Sequence, residues 1–331
     1  MQVKDIGEQG LLRILQKFCP AEIVGDDCAV VPTNPNQSLA ITTDMLVDGV
    51  HFSDRTTGPY YAGWRAAAAN LSDLAAMGAT PLAVTVALAV AADTAVEWVE
   101  EFYRGMTACL QEYDTPIVGG DVVRSPVVTV AITAFGQVEC DRTISRSNAR
   151  SGWAIVATGV HGASRAGLEL LLNPEFGQNL EKVDRASLIL AHQRPKPRLD
   201  VLPVVWEILG CEGEFLIAGM DSSDGLADAI IQICRASGVG AKIDRTKIPI
   251  PDIFSEIVSS EKALDWALYG GEDFELVLFL PIANAQLLVE QMVEGAAIVG
   301  IATDSTDIWL TDSSGIYPDA ILKLDRGFQH F

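Results

Sequence analysis

Two carboxylates and two hydroxyls stand in a row at residues 221–224, where the sequence reads Asp-Ser-Ser-Asp. Residues 215–218 are apolar and predict a short buried strand, whereas the apolar positions within residues 226–236 recur at helical spacing. The four polar side chains therefore fall on a tight turn at a helix start, where backbone N–H groups and the positive end of the helix dipole are available. One of them could simply cap the helix. Four together also suit a hard cation and phosphate oxygens.

Carboxylates recur at the ends of apolar segments along the whole chain. These acids are Asp27, Asp44, Asp73, Asp121, Asp221, Asp224 and Glu272. Each alone is compatible with a solvated loop. Their shared placement, with almost no histidine or cysteine beside them, favours oxygen-ligated Mg²⁺ over a zinc site or nucleophilic catalysis. We therefore expect these acids to meet in one cleft.

Asp73 stands out among these acids because of the helix that carries it. Residues 59–77 predict a helix rich in alanine, on which Asn70 and Asp73 share one face. A carboxylate on such an apolar helix is costly unless it is paired or bound to a metal ion. We therefore favour a functional role for Asp73 over a structural one.

The usual nucleotide-binding signatures are missing from the sequence. It has no GxxxxGK[ST] loop, no HRD motif of protein kinases and no GxGxxG fingerprint. If the protein uses a nucleotide, it must bind the phosphates through metal ions instead.

The composition is that of a folded and strongly acidic protein. The chain has 331 residues, 49% of them apolar, which is enough for two domains with hydrophobic cores. Its net charge of −21 argues against a nucleic-acid partner, and it would repel an anionic substrate unless metal ions intervene. The six cysteines show no CxxC spacing, so we expect reduced thiols. Because the N-terminus shows no secretory signal, the expected location is the cytoplasm.

Helices and strands alternate along the sequence. Further helices are predicted at residues 5–18, 94–113, 164–172 and 261–268, and strands at residues 28–31, 39–44, 83–90, 116–121, 127–138, 153–157, 241–244, 277–280, 297–301 and 308–310. A capping box, Thr94-Ala95-Val96-Glu97, would open the helix at 94–113. The uncharged run 74–92 predicts a helix end and a buried strand, not a membrane span. The expected fold class is α/β or α+β.

The composition changes between residues 141 and 153. Arg142, Arg146 and Arg150 cluster there within an otherwise acidic chain, and we place a domain boundary at this point. The arginines could form salt bridges in a linker, or one of them could bind phosphate. Further along, the polar and proline-rich residues 173–200 predict an excursion over the surface.

Several of these motifs occur together in one known family. The blocks that carry the resemblance are Gly25-Asp26-Asp27-Cys28-Ala29, Thr42-Thr43-Asp44, Asn70-Leu71-Ser72-Asp73-Leu74-Ala75-Ala76-Met77-Gly78, Gly119-Gly120-Asp121, Asp221-Ser222-Ser223-Asp224-Gly225, Gly270-Gly271-Glu272-Asp273 and the terminal run 327–331. In this order and spacing, the sequence resembles the thiamine-monophosphate kinase family over nearly its whole length. Single blocks also occur in the wider superfamily of aminoimidazole ribonucleotide synthetase, selenophosphate synthetase and hydrogenase-maturation enzymes.

The resemblance implies a fold and a reaction. The implied fold has two domains of the aminoimidazole ribonucleotide synthetase type. Residues 1–140 would bind ATP and Mg²⁺ and contribute strands to a barrel across a homodimer, and residues 150–331 would form an α/β domain that completes the active site. The implied reaction is transfer of the γ-phosphoryl group of ATP to thiamine phosphate, with several Mg²⁺ ions per site.

The resemblance also implies roles for individual residues. The implied Mg²⁺ ligands are Asp27, Thr42, Thr43, Asp44, Asp73, Asp121, Asp221 and Asp224. The implied ATP contacts are Tyr103, Gly120, Asp121, Arg146 and Ser223. The implied contacts to thiamine phosphate are His51, Glu272 and Phe328. Asn148, Trp153 and Gln329 depart from the family pattern, which has glycine, aspartate and an acidic residue at these positions.

The chemistry of the substrates supports this assignment. A phosphate monoester has a second pKa of about 6 and is mostly ionised at neutral pH, so no general base is required. The obstacle is the repulsion between two polyanions, which Mg²⁺ ions held by carboxylates would relieve. We therefore expect direct in-line transfer without a phosphoenzyme. The alternatives are another ATP-dependent enzyme of the same superfamily, a Mg²⁺-dependent phosphohydrolase and a non-catalytic acidic binding protein.

Overall fold

The structure, a computed structural model, describes residues 1–20, 33–139, 141–210, 215–292 and 295–324. For residues 7–9 it describes the backbone only. The chain divides into two compact units. Unit 1 comprises Met1–Leu74 and Ala79–Cys140, and unit 2 comprises Ala75–Gly78 and Asp141–Phe331. Both units combine a β-sheet with helices, as expected for an α/β or α+β protein.

Unit 1 is built on a four-stranded sheet. Its elements are α1 (Val3–Leu15), β1 (Gln37–Val47), α2 (Pro59–Ala76), β2 (Thr80–Val90), α3 (Val96–Gln111), β3 (Ile117–Arg124) and β4 (Thr129–Glu139). The strand order is β1-β4-β2-β3; β4 pairs antiparallel with β1 and β2, and β2 pairs parallel with β3. Among the described residues the sheet is open, with β1 and β3 as its edges.

The two faces of this sheet differ in burial. Alternate residues of β4, from Val130 to Val138, are buried, and those between them are partly exposed. Helix α2 covers the buried face, where Leu74 contacts β4 at Gly136. On the other face Ile41 and Met45 of β1 are 60% and 57% exposed. Strands β1 and β4 therefore alternate as antiparallel strands with one covered face do, except that the uncovered face also carries exposed apolar side chains.

Helices α2 and α3 approach each other through glycines. A Cβ atom at Gly63 would lie 1.9 Å from the carbonyl oxygen of Phe102, and one at Gly105 would lie 1.7 Å from that of Tyr60. Both distances are far below van der Waals contact, so neither position accepts any side chain at this helix separation. Glycine is therefore required at this crossing despite its low helix propensity.

Unit 2 is built on a seven-stranded sheet of order β11-β10-β7-β9-β5-β8-β6, with β7 and β10 parallel and the other pairs antiparallel. Its elements are β5 (Ala154–Ala157), α4 (Ala163–Leu172), α5 (Lys182–Gln193), α6 (Val201–Leu209), β6 (Ala218–Asp221), α7 (Leu226–Ser237), β7 (Gly240–Asp244), α8 (Ser260–Tyr269), β8 (Leu276–Leu280), α9 (Ile282–Gln291), β9 (Ala297–Thr303), β10 (Ile308–Thr311) and β11 (Ala320–Ile321).

The central strands of this sheet are buried on both faces. In β8, Val277 and Phe279 belong to a core cluster that includes α7, whereas Leu276 and Leu278 belong to a second cluster that includes α6 and α9. Because side chains alternate along a strand, these two clusters lie on opposite faces of the sheet. Unit 2 is thus a layered structure in which the sheet lies between helices.

Two local predictions from the sequence are wrong. The strand predicted at 215–218 is instead β6, which pairs with β8 from Ala218 to Asp221. Of the apolar residues before it, Ile217 is buried and Phe215 and Leu216 are partly buried, and none of them joins this ladder. Likewise Ala95, and not Thr94, is the N-cap of α3, and it makes no side-chain cap hydrogen bond. The N–H of Val96 instead donates to the carbonyl oxygen of Met1 at 3.1 Å, which replaces the predicted capping box.

The predicted surface excursion at residues 173–200 is also wrong. It contains α5, whose Leu188 and His192 are buried, and α5 packs so closely on α4 that a Cβ atom at Gly167 would lie 2.1 Å from the carbonyl oxygen of Leu188. Because α5 buries only a narrow stripe of side chains, most of its residues are polar, and its sequence resembles that of a solvated segment.

The run at residues 74–92 forms the end of α2 and the strand β2, as predicted. Within the described parts of the chain, no helix combines the length and apolarity that crossing a membrane would require.

We predict that Gly105→Ala strongly destabilises unit 1. The new methyl group would overlap the carbonyl oxygen of Tyr60, and overpacking of this kind costs about 2 kcal/mol or more. Gly58→Ala is the matched control, because a Cβ atom there has no neighbour within 4 Å, and it should cost at most about 1 kcal/mol, the loss expected on placing alanine at a helix start. Denaturant unfolding of the two variants measures the difference. Equal stabilities would contradict the close crossing of α2 and α3.

Candidate active site

The turn at residues 221–225 follows β6 directly. Asp221 is the last residue of β6 and is 2% exposed, and the Ser223 hydroxyl donates to its Oδ1 at 3.0 Å. Gly225 is the N-cap of α7, so none of the four polar residues before it occupies the cap position. The simpler interpretation, helix capping, therefore does not account for them.

Gly225 also sets the geometry of this turn. Its φ is 96°, in the region that favours glycine, and a Cβ atom there would lie 2.7 Å from the carbonyl oxygen of Leu268. Exposed Asp224 precedes it. Burial, and then the charge of Asp224, raise the pKa of Asp228 one turn into α7, and the charge of Arg146 opposes them. Carboxylates and an arginine therefore converge at the start of α7.

A second loop, residues 270–275, is bonded to this turn by its backbone. The N–H of Glu272 donates to the carbonyl oxygen of Ser223 at 2.6 Å, and the N–H of Ser222 donates to that of Glu275 at 2.8 Å. The structure thus brings Asp221, Ser223 and Glu272 together in unit 2. All three were predicted site residues, and Glu272 comes from a different part of the sequence from the other two.

The 270–275 loop holds an unusual backbone conformation. Glu272 and Phe274 have φ values of 60° and 54°, in the left-handed region that residues other than glycine seldom adopt. Each costs on the order of 1–3 kcal/mol, so the surrounding structure must enforce both. The buried side chain of Phe274 and the bond from Glu272 to Ser223 supply that constraint.

A buried ion pair supports the loop from behind. Arg198 pairs with Glu275, whose carboxylate also accepts from the Thr158 hydroxyl at 2.6 Å. Burial raises the pKa of Glu275, and the charge of Arg198 opposes the rise. Neither residue was predicted from the sequence, because Arg198 lies in the segment assigned to the surface.

Asp273 joins the same loop to helix α4. Its carboxylate accepts from the N–H of Gly162 at 2.7 Å and from that of Ser164 at 2.9 Å, at the N-terminus of α4. Burial raises the pKa of Asp273 to about 7, with smaller contributions from the charges of Glu275 and Glu272, although the two N–H groups act in the opposite direction.

In unit 1, helix α2 brings two of its polar residues to strand β1. The Thr42 hydroxyl donates to the carboxylate of Asp73, and the N–H of Asp44 donates to Asn70 Oδ1 at 3.3 Å. Asn70 is fully buried and anchored by a bond from its own amide to the carbonyl oxygen of Ala66 at 3.0 Å. Thr42, Asp44 and Asp73 are therefore brought together. Asn70, which was predicted to share one face of the helix with Asp73, supplies the contact to Asp44.

Two other predicted ligands lie on the opposite face of the unit 1 sheet. By register, Asp121 shares a row with Met45, through Ala131 and Ala87, whereas Asp44 lies one residue away along β1 and faces the other side. Thr43 shares the face of Met45, and its hydroxyl donates to the carbonyl oxygen of Ile132 at 2.9 Å.

The remaining predicted residues have varied surroundings. His51 Nδ1 accepts from the N–H of Val47 at 3.1 Å. Tyr103 is buried among aromatic rings, and burial raises its pKa. A Cβ atom at Gly120 would lie 2.0 Å from the carbonyl oxygen of Val86. The carbonyl oxygen of exposed Arg146 accepts from the Ser237 hydroxyl at 2.7 Å.

Two predicted residues, Asp27 and Phe328, lie outside the described residues, as do Gln329 and the predicted strand at 28–31. In the portion that is described, no group of three or more histidine, cysteine, aspartate or glutamate side chains is arranged to hold a metal ion. The prediction that all the acids share one cleft therefore stays a prediction.

Comparison with known proteins identifies the family. Residues 25–138 match the family model of the AIR synthase related protein, N-terminal domain. A thiamine-monophosphate kinase of Synechococcus elongatus is 49% identical over 99% of this chain and 98% of its own. The chain belongs to the thiamine-monophosphate kinase family. It is an enzyme family, and the resemblance inferred from the motifs is confirmed.

Solved structures of the family have the same fold. The thiamine-monophosphate kinase of Stenotrophomonas maltophilia superposes with a TM-score of 0.77 at 31% identity, over 87% of this chain and 89% of the other. A structure described as AaThiL complexed with AMPPCP and TMP superposes with a TM-score of 0.72 at 29% identity, over 97% and 98% of the two chains. The aminoimidazole ribonucleotide synthetase-like fold is therefore confirmed.

The donors that this member of the thiamine-monophosphate kinase family offers are suited to Mg²⁺. The described residues predicted as ligands present carboxylate and hydroxyl oxygens, without sulfur or imidazole nitrogen. Mg²⁺ prefers such hard oxygen ligands. The like charge of Asp224 also disfavours ionisation of Asp228, so a cation at this position would lower the electrostatic energy. The residues present thus fit the predicted ion.

The raised pKa of Asp273 predicts a stability that falls as pH rises. The carboxyl titrates at its ordinary pKa of 3.8 in the unfolded chain and at about 7 in the folded protein. The folded state therefore holds an extra proton between these values. Its contribution to stability is complete below the lower pKa and is lost as the pH rises through the higher one.

The matched variant is Asp273→Asn, which keeps the shape of the side chain but does not titrate. We expect the free energy of unfolding of the wild type to decrease, relative to that of the variant, between about pH 4 and about pH 7. Urea unfolding across this range measures it. Two parallel curves would show that Asp273 does not titrate in this window.

Proposed function

We propose that this protein transfers the γ-phosphoryl group of ATP to thiamine phosphate and forms thiamine diphosphate and ADP. The observation that carries the proposal is the backbone link between the 221–225 turn and the loop of Glu272. It joins residues proposed for the nucleotide to a residue proposed for the acceptor. The family relationship and the relative bound to AMPPCP and TMP support the same two substrates.

The residues proposed to hold several Mg²⁺ ions are Asp27, Thr42, Thr43, Asp44, Asp73, Asp121, Asp221 and Asp224. When bound, these ions would neutralise the phosphate oxygens of both substrates and so reduce the repulsion between them. The contacts from Thr42 to Asp73 and from Ser223 to Asp221 keep those two carboxylates oriented.

The protein has no need to remove a proton from the acceptor. The second pKa of a phosphate monoester is about 6, so the attacking oxygen is already ionised at neutral pH. The task of the chain is therefore to orient two phosphate groups in line. We propose Tyr103, Gly120, Asp121, Arg146 and Ser223 as ATP contacts, and His51, Glu272 and Phe328 as contacts to thiamine phosphate. Buried Tyr103 has the weakest support of these.

We further propose that unit 1 forms a homodimer through the uncovered face of its sheet. Leu39, Ile41 and Met45 of β1 are at least 50% exposed there, on an edge strand, and only Thr43 interrupts this apolar row. A second copy would cover these side chains and complete a barrel from two open sheets. We assign dimerisation and most ATP and Mg²⁺ contacts to residues 1–140, and the rest of the site to residues 150–331.

The proposed location is the cytoplasm. Cys19, Cys109 and Cys234 are thiols in the structure, as expected for a reducing compartment.

The reaction is tested with γ-labelled ATP, Mg²⁺ and thiamine phosphate. We expect label in thiamine diphosphate, none retained on the protein, and ADP in equal amount. Asp44→Asn and Asp221→Asn should each lower the rate by roughly two orders of magnitude or more, because each removes a charge that would hold Mg²⁺. Asp252→Asn is the matched control, because Asp252 is an exposed aspartate outside all the predicted site motifs, and it should leave the rate unchanged.

Other outcomes of this assay have definite meanings. Label released as inorganic phosphate would indicate a phosphohydrolase, and the absence of any product would indicate a binding protein. Label transferred to the protein would contradict direct transfer. Product formed only with a different acceptor would indicate another activity of the superfamily.

The homodimer predicts that Ile41→Asp yields a monomer, because the charge would be buried at the proposed interface. Ile316→Asp is the control, since Ile316 is 74% exposed in unit 2 and outside the proposed interface. Sedimentation velocity measures both variants. A monomeric wild type, or an Ile41→Asp variant that remains dimeric, would refute this interface.

A further inference from the structure

Two side chains that the proposed reaction does not use, one of them within the 221–225 turn, contact each other. His161 and Ser222 are both fully buried, and His161 Nε2 lies 3.1 Å from Ser222 Oγ. The other ring nitrogen, Nδ1, lies 3.0 Å from the carbonyl oxygen of Gly159. A carbonyl oxygen can only accept a hydrogen bond, so Nδ1 carries the proton and Nε2 is the acceptor. The Ser222 hydroxyl must then donate to His161.

His161 is a neutral imidazole at physiological pH. Burial lowers its pKa to about 4, against the opposing effect of the bond to Gly159. The contact with Ser222 is therefore a hydrogen bond between two uncharged groups, with its direction fixed by Gly159.

Ser222 is held at each of its polar groups. Its N–H donates to the carbonyl oxygen of Glu275 at 2.8 Å, its carbonyl oxygen accepts from the N–H of Gly225 at 2.9 Å, and its hydroxyl donates to His161. A buried residue with all of its polar groups bonded has a single low-energy orientation. Because Asp221 and Ser223 are its neighbours in the chain, fixing Ser222 fixes the direction of both.

We propose that His161 is a positioning residue, which acts through Ser222 to hold the 221–225 turn in the conformation that binds metal-bound nucleotide phosphates. The identity of the ligand rests on the proposed function. The contact itself does not, since it follows from the two buried side chains and the carbonyl oxygen of Gly159.

Two amide variants of His161 separate its two hydrogen bonds. In His161→Gln the side-chain amide reaches the position of Nε2 and can accept from Ser222. In His161→Asn the amide reaches only the position of Nδ1, so it can donate to Gly159 but leaves Ser222 without its acceptor. Both variants replace the ring by an amide, so loss of ring packing affects both of them.

We expect His161→Asn and Ser222→Ala to weaken binding of a non-hydrolysable ATP analogue with Mg²⁺ by roughly tenfold, as for loss of one buried hydrogen bond. His161→Gln should recover most of the wild-type affinity. Isothermal titration calorimetry measures the dissociation constant, and steady-state kinetics should show the same increase in KM for ATP. The ¹⁵N shifts of the imidazole report the Nδ1–H tautomer of His161 without any ligand.

Two controls distinguish positioning from general loss of stability. Thr311→Ala removes a hydroxyl that donates to the carbonyl oxygen of Ile243 at 3.0 Å, in β10 at the far side of the sheet from β6, and should leave nucleotide affinity unchanged. Ile243→Ala removes a buried side chain from β7 and should lower Tm while leaving nucleotide affinity unchanged.

The proposal is overturned if His161→Asn and His161→Gln bind the analogue equally well, or if affinity follows Tm across all the variants. It is also overturned if the wild type binds no Mg²⁺–nucleotide. If the wild type binds nucleotide but makes no thiamine diphosphate, the proposed function alone fails. The comparison of the two amide variants then still decides whether His161 positions the turn.

Discussion

The site in unit 2 depends on two backbone hydrogen bonds, from Glu272 to Ser223 and from Ser222 to Glu275. They run in opposite directions between the same two loops, so neither loop can slide past the other without breaking both. Main-chain bonds do not depend on which side chains the loops carry. They fix the relative position of the acid on one loop and the acid and hydroxyl on the other. The roles proposed for Asp221, Ser223 and Glu272 require that position.

The residues of the 270–275 loop also carry the conformational strain and the buried carboxyl groups of this arrangement. Glu272 and Phe274 adopt left-handed backbone conformations, and Asp273 and Glu275 are carboxyls with pKa values raised by burial. Such groups are tolerated where neighbours satisfy them, as the α4 N-terminus does for Asp273 and Arg198 does for Glu275. Strained and buried polar groups that cluster in one loop are typical of a functional site.

Sequence patterns predicted what depends on neighbours in the chain and missed what depends on distant ones. The helix at Pro59–Ala76 was predicted almost to the residue, since its apolar period, its early proline and Gly78 all agree. The contact between His161 and Ser222 joins residues 61 positions apart, and no local pattern signals it. Arg198 was missed for a related reason. Its polar segment resembles solvated chain until its partner Glu275 is seen.

In each unit a hydroxyl group donates a hydrogen bond that orients an aspartate. In unit 1 a threonine hydroxyl on β1 donates to Asp73 on α2, and in unit 2 the Ser223 hydroxyl donates to Asp221 at the end of β6. A donated hydrogen bond favours the ionised carboxylate and limits its rotation. It also places the hydroxyl oxygen beside the carboxylate oxygens, so that two kinds of oxygen ligand for a metal ion lie next to each other. In unit 2 the hydroxyl lies two residues after its acid, whereas in unit 1 a strand supplies the hydroxyl to a helix residue 31 positions later.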